Sequence, residues 1–167
     1  MLELFKQAES INRKKNSNHS QDESVAKELA IEYSNIPLYI IQYFFVRHSS
    51  QGNEIIQGFE NFNIKCANFY FEELDKDQLQ DINIIDYAPF AHYDEPHIIE
   101  SKGTVDWYKN YYFKYGTWEF PIIAIKQKGK LFVIDGTNRF RHMLICLKNN
   151  LNFIKEKHLI HVIEECK

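Results

Sequence analysis

Apolar residues recur along the chain with two different periods, and each period predicts an element. Leu2 to Ile11 has helical spacing. Asn12 to Asp22 is polar throughout and reads as a linker. Ser20 followed by Glu23 fits a capping box, and Val25, Leu29 and their neighbours carry a second helix to Tyr33. After Pro37, the aromatic and β-branched run Leu38 to Val46 predicts a strand. Ser49 to Gly52 reads as a loop, Glu54 to Phe62 as a short helix, and Ile64 to Phe71 as a strand. Glu72 to Gln80 is an exposed turn or short helix, and Ile82 to Tyr87 a short strand. Ala88 to Gly103 carries Pro89 and Pro96 and predicts a long loop. Val105, Tyr108, Tyr111 and Tyr112 are spaced as a helix over Thr104 to Tyr115, with Gly116 at its C-terminal cap.

The last fifty residues carry the clearest pattern. Pro121 to Ile125 is a buried-strand run, Lys128-Gly129-Lys130 a turn, and Leu131 to Ile134 the returning strand of a hairpin. Phe140, Met143, Leu144 and Leu147 then mark the apolar stripe of a helix over 137–149. His158 to Glu164 closes the domain as a strand. The fold class expected is α/β, in the α+β sense: a small mixed sheet with helices. Residues 1–35 form an N-terminal helical extension and residues 36–167 the main domain.

Composition narrows this picture. The chain has 167 residues and is 44% hydrophobic, 26% charged and 15% aromatic, which suits a folded domain and not a disordered one. A formal net charge of -3 provides no global basic field for coating nucleic acid, so a nucleic-acid partner is not favoured. Arg13-Lys14-Lys15 is too short a tract to change that. Cys66, Cys146 and Cys166 are widely spaced and odd in number. They predict free thiols in a reducing compartment, with no disulfide framework and no structural zinc. No apolar run is long enough for a membrane helix and the first residues do not read as a signal peptide, so the expectation is a cytoplasmic protein without a membrane partner.

Candidate chemistry gathers at Asp135-Gly136-Thr137-Asn138-Arg139, between a strand and a helix start. A helix N-terminus offers unpaired amides and a partial positive charge, both of which favour an anion. Gly136 allows a sharp turn and close approach, Thr137 or Asn138 can cap or bond phosphate, and Arg139 is a donor fork matched to phosphate. Arg141 adds a second guanidinium. His142 lies at i+3 from Arg139 and is a candidate proton-transfer group. Asp135 could hold Mg²⁺, orient a hydroxyl, or pair with Arg139. The loop 86–106 is acidic and carries His92, Asp94, His97, Glu100 and Asp106, with Glu100 the candidate base. The same residues also fit a plain reading, in which Asp-Gly is a turn, Arg139 an ion-pair partner and the loop a solvated surface. Trp107, Trp118 and the tyrosines of 108–112 read mainly as core, with hydroxyls reaching its edge.

From Thr104 to Glu165, a little over a third of the chain, this order resembles the ParB/sulfiredoxin-like superfamily. The resemblance rests on the Pro121 strand, the Lys-Gly-Lys turn, Leu131-Phe-Val-Ile-Asp-Gly-Thr-Asn-Arg-Phe-Arg-His-Met-Leu and the closing His161-Val-Ile-Glu-Glu. It implies that Gly136, Asn138 and Arg139 bind the phosphates of ATP or CTP, with Asp135 as in the kinase-type branch. Thr137 stands where the family's sulfinic acid reductases carry cysteine, which disfavours that reaction. Thr137 and Asn138 replace the Glu-Arg of the partition proteins, and a helix-turn-helix region after the closing strand is not expected, so a full DNA-partition role is disfavoured. The resulting expectation is a stand-alone phosphotransferase or nucleotide hydrolase with an unidentified small-molecule or protein acceptor. Its alternatives are a non-catalytic protein- or nucleic-acid-binding module and a ParB-like nuclease.

Overall fold

The computed structural model describes residues 1–14, 23–52, 59, 61–84, 110–118, 120–149 and 152–166. The chain mixes helices with one five-stranded sheet and divides into two compact units: Met1–Phe69 with Glu165–Lys167, and Tyr70–Glu164. The division falls at Phe69, beyond the boundary at residue 35 suggested by composition.

The first unit is helical. Helix α1 (Leu2–Lys14) runs past Ile11 into the polar stretch, and α2 (Glu23–Glu32) follows. Leu4, Phe5 and Ala8 of α1 and Val25, Ala26 and Leu29 of α2 are buried. The segment expected to be a strand after Pro37 is instead helical: α3 (Leu38–Ile40) passes directly into a π-helical turn over Ile41–Val46. Ile40, Ile41, Phe44 and Phe45 are buried while Leu38, Tyr39 and Tyr43 are exposed. That is a helical period, and it overrides the β propensity of the individual residues. The rings of Phe44 and Phe45 meet Phe5 at 5.4 and 4.8 Å. A Cβ on Gly52 would lie 2.5 Å from that of Phe5, so only glycine lets the chain pass this cluster.

Strand β1 (Asn68–Asp75) leads into the second unit; it is preceded by a 3₁₀ turn at Ile64–Cys66, so the strand predicted from Ile64 starts later. A capping box at Asp75 and Gln78 opens α4 (Lys76–Gln80), followed by β2 (Asn83–Ile84). Residues 110–115 are helical and end at Gly116, whose φ of 70° and bond from its N–H to the Tyr112 carbonyl (2.8 Å) make the expected cap. Strands β3 (Ile122–Gln127) and β4 (Lys130–Asp135) form the predicted hairpin, with positive φ at both Lys128 and Gly129. Positive φ at both turn residues matches the twist of a two-residue hairpin. Helix α5 (Thr137–Lys148) then leads to β5 (Lys157–Glu164).

The sheet order is β1-β5-β3-β4-β2. Strand β3 pairs antiparallel with β4 and parallel with β5, with Ala124 opposite Val133 and Val162. Phe140, Met143 and Cys146 of α5 share a core with Ile122, Ala124, Val133, Ile160 and Val162 of the sheet. Ile123, Ile125 and Ile163, on the other face, are buried too. Burial on both faces explains why β3 reads as a continuous apolar run and not as an alternation.

Cys66 and Cys166 form a disulfide across 100 residues, with Cα atoms 5.8 Å apart, while Cys146 is free and buried. This corrects the expectation of three free thiols, and with it the argument for a reducing compartment. The two cysteines flank β1 and β5, which are neighbours in the sheet, and spacing along the chain does not reveal that proximity. Among the described residues, no helix is long and apolar enough to cross a membrane.

Candidate functional site

The corner between β4 and α5 is the expected strand, glycine turn and helix start, but the N-cap is Gly136, so neither Thr137 nor Asn138 caps the helix. Gly136 occupies the N-cap position at φ 79° and ψ 22°, in the left-handed region, with no side-chain cap. Phe140 N–H donates the first intrahelical bond, to the Gly136 carbonyl at 2.9 Å. The amides of Thr137, Asn138 and Arg139 therefore precede the helix's own hydrogen-bond ladder. Asn138 is exposed, while Thr137 and Arg141 are half-buried.

Arg139 folds back over this turn. Its Nη1 donates to the Phe120 carbonyl at 2.6 Å, and Nη2 lies 3.5 Å from Asp135 Oδ2. Both side chains are 16% exposed. A Cβ built on Gly136 would stand 2.7 Å from Arg139 Nη2 and 2.8 Å from Ile122 Cγ2. The glycine is thus required twice, by its backbone conformation and by the guanidinium packed against it. Asp135 makes the ion pair with Arg139 that was one of the roles weighed for it. A guanidinium has five N–H donors, and these contacts use only part of them.

Tyr112 supports the corner from behind by donating its hydroxyl to the Arg139 carbonyl at 2.7 Å. Its ring is buried, as the helical spacing implied. Tyr112→Phe is expected to cost about 1 kcal/mol, the usual worth of such a bond, measured by urea unfolding. An unchanged midpoint would show that the bond contributes nothing.

Of the other two predicted catalytic residues, only His142 lies among the described residues. His142 is only 7% exposed and sits with Phe140, Met143 and Cys146 on the buried side of α5. Burial lowers its pKa, so the ring stays neutral and away from solvent. Glu100, the rest of the 86–106 loop and Trp107 lie outside the described residues. Trp118 is core, with its Nε1 donating to the Leu159 carbonyl at 2.7 Å. Among the described residues, no group of three His, Cys, Asp or Glu side chains could hold a metal ion.

Two buried histidines of β5 were not anticipated. His158 Nε2 lies 2.9 Å from the Lys155 carbonyl, which can only accept, so this nitrogen carries the proton. Nδ1 then accepts from Thr117 Oγ1 at 3.0 Å. His161 is 2% exposed and packs edge-on to Phe71 with ring centroids 4.8 Å apart. Burial drives its pKa down to about 4. The signal available in the sequence was two imidazoles inside an otherwise apolar strand.

The chain matches no protein-family model, no curated protein and no solved structure. What the fold defines is therefore a class: a mixed α and β domain with a glycine-turned strand-to-helix corner.

Proposed function

We propose that this protein is a nucleotide-binding domain that holds phosphates at the Asp135–Arg139 corner and catalyses phosphoryl transfer or nucleotide hydrolysis with ATP or CTP. The observation that carries the reading is Gly136, a left-handed N-cap without a side-chain cap, opening a twelve-residue helix. An anion seated there receives the first-turn amides of Thr137, Asn138 and Arg139 and the positive end of the helix dipole. Arg139 exchanges the Phe120 carbonyl for a phosphate oxygen, replacing a neutral acceptor by a charged and stronger one. Asp135, released from that guanidinium, supplies one carboxylate. One protein carboxylate together with nucleotide oxygens is a usual way to hold Mg²⁺, which would spread charge on the transferring phosphoryl group. The likeness to the ParB/sulfiredoxin-like superfamily supports the same assignment through the order helix, glycine, strand, hairpin, corner and helix.

Calorimetric titration with ATP, CTP and GTP in the presence of Mg²⁺ tests the proposal. At least one nucleotide is expected to bind tighter than millimolar, and Arg139→Ala to weaken it by about tenfold to a hundredfold, the worth of a charge-assisted bond. Circular dichroism verifies that the variant folds. No binding tighter than millimolar, or binding indifferent to Arg139→Ala, defeats the reading.

A second reading is favoured by the bonds Arg139 already makes. Its guanidinium is satisfied in part by Phe120 and Asp135 and fills the space over Gly136. On this reading the corner is a structural latch. The protein is then a binding module for a protein or nucleic acid, working through exposed aromatics such as Phe113 (70% exposed) and Phe120 (63% exposed). It predicts no turnover with any nucleotide, and no cleavage of labelled single strands in Mg²⁺, which also separates it from a nuclease.

A further inference from the structure

The disulfide occupies a particular place in the connectivity. The chain leaves the first unit after Phe69 and returns to it at Glu165. Cys66 lies just before the exit and Cys166 just after the return, so the covalent loop they close contains the whole second unit. The same residues flank the start of β1 and the end of β5, two neighbouring strands. Their Cα separation of 5.8 Å falls within the range disulfides require, about 4.4–6.8 Å. A second tie runs beside it, from Asn63 N–H to Glu165 Oε1 at 3.5 Å. Cys66 is exposed and Cys166 half-buried, so a small thiol can reach the bond. Cys146, the third cysteine, is buried in the core beneath α5 and is kept out of exchange.

We propose that Cys66 and Cys166 form a reversible thiol–disulfide clasp whose redox state sets the stability of the second unit. Opening proceeds by exchange with a thiol of the glutathione class. One thiolate attacks a sulfur of the pair, forms a mixed disulfide and expels the other cysteine as a thiolate, which takes up a proton. A second thiol resolves the mixed disulfide. Two cysteine thiols and one small-molecule disulfide result; closure is the reverse, with that disulfide as oxidant. The physical lever is chain entropy: an open clasp lets the unfolded chain explore conformations that a closed hundred-residue loop excludes, so loss of the bond favours unfolding.

The test equilibrates the full-length chain in glutathione buffers from oxidising to reducing ratios, traps thiols by alkylation, and reads intact mass and melting temperature. Two alkyl groups are expected to appear together and reversibly as the ratio becomes reducing, with Tm falling by about 10 °C in step. Cys146→Ser keeps both responses. Cys66→Ser and Cys166→Ser lose the paired alkylation and the Tm shift, with at most one thiol still responding through a glutathione mixed disulfide, and melt where the reduced wild type melts. Should either serine variant fail to fold, the wild-type titration decides alone. The proposal is overturned by alkylation of both cysteines at every ratio, by a bond that no ratio opens, by peptide mapping that joins Cys146 to either partner, or by oxidised and reduced forms that melt together.

Discussion

Gly136→Ala is expected to destabilise the protein by about 3 kcal/mol, roughly twice the effect of Gly129→Ala. Both glycines have positive φ, 79° and 77°. An L-residue in that region costs about 1–2 kcal/mol wherever it stands. The surroundings separate the two sites. Around Gly129 a new Cβ meets nothing within 4 Å. At Gly136 it meets Arg139 Nη2 at 2.7 Å and Ile122 Cγ2 at 2.8 Å. The arginine head can swing away, but only by releasing Phe120 and Asp135. Ile122 is fully buried in the sheet core and has nowhere to go. Overpacking of this kind adds about 1–3 kcal/mol. Urea denaturation of the two variants measures the difference directly. Equal losses would mean that the guanidinium does not rest against the glycine, and the description of the corner would be wrong.

Acidification is expected to weaken the folded state by about 3 kcal/mol through His161 alone, between pH 6.5 and 4. The ring is buried against Phe71 in the sheet, and its folded pKa is pushed down to about 4. The unfolded chain holds an ordinary imidazole that takes up a proton near pH 6.5. Within that window the unfolded state binds more protons, so stability rises with pH. The contribution is complete above 6.5 and is lost as pH falls toward 4. His142 and His158 have pKa values lowered in the same direction, chiefly by burial, and steepen the slope. Unfolding free energies measured across this range should fall with acid in the wild type. In His161→Leu the fall should be shallower by the His161 share. A variant with an unaltered pH slope would show that the imidazole is hydrated or already charged in the fold.

The two experiments address parts of the chain that differ in how they can be read. The hairpin, Gly116 cap, Gly136 corner and α5 were all legible, because each depends on residues within a few positions of one another. Positive φ needs glycine locally, a two-residue turn sets its own hairpin, and an apolar stripe shows itself within two turns of helix. The segment after Pro37 was misread because its residue types favour strands while its spacing buries one side of a helix. There, packing on Phe5 outweighs propensity.

The candidate site divides in the same way. That residues 135–139 make a glycine turn into a helix could be read directly. That Arg139 reaches back to the Phe120 carbonyl could not, since the two are 19 positions apart and meet only once β3 lies beside β4. His142 illustrates the converse: an i+3 spacing suggested a shared face with Arg139, but the imidazole is buried along with Phe140, Met143 and Cys146 of α5.

Local chemistry in this chain was enough to specify its elements from Tyr112 to Glu164 and the glycine turn into α5, because backbone conformation and helix ends answer to near neighbours. Tertiary structure alone decided which thiols meet, which imidazoles lose their water and where the guanidinium of Arg139 rests. Those outcomes depend on strand order, and strand order is settled by burying apolar faces contributed from distant parts of the chain.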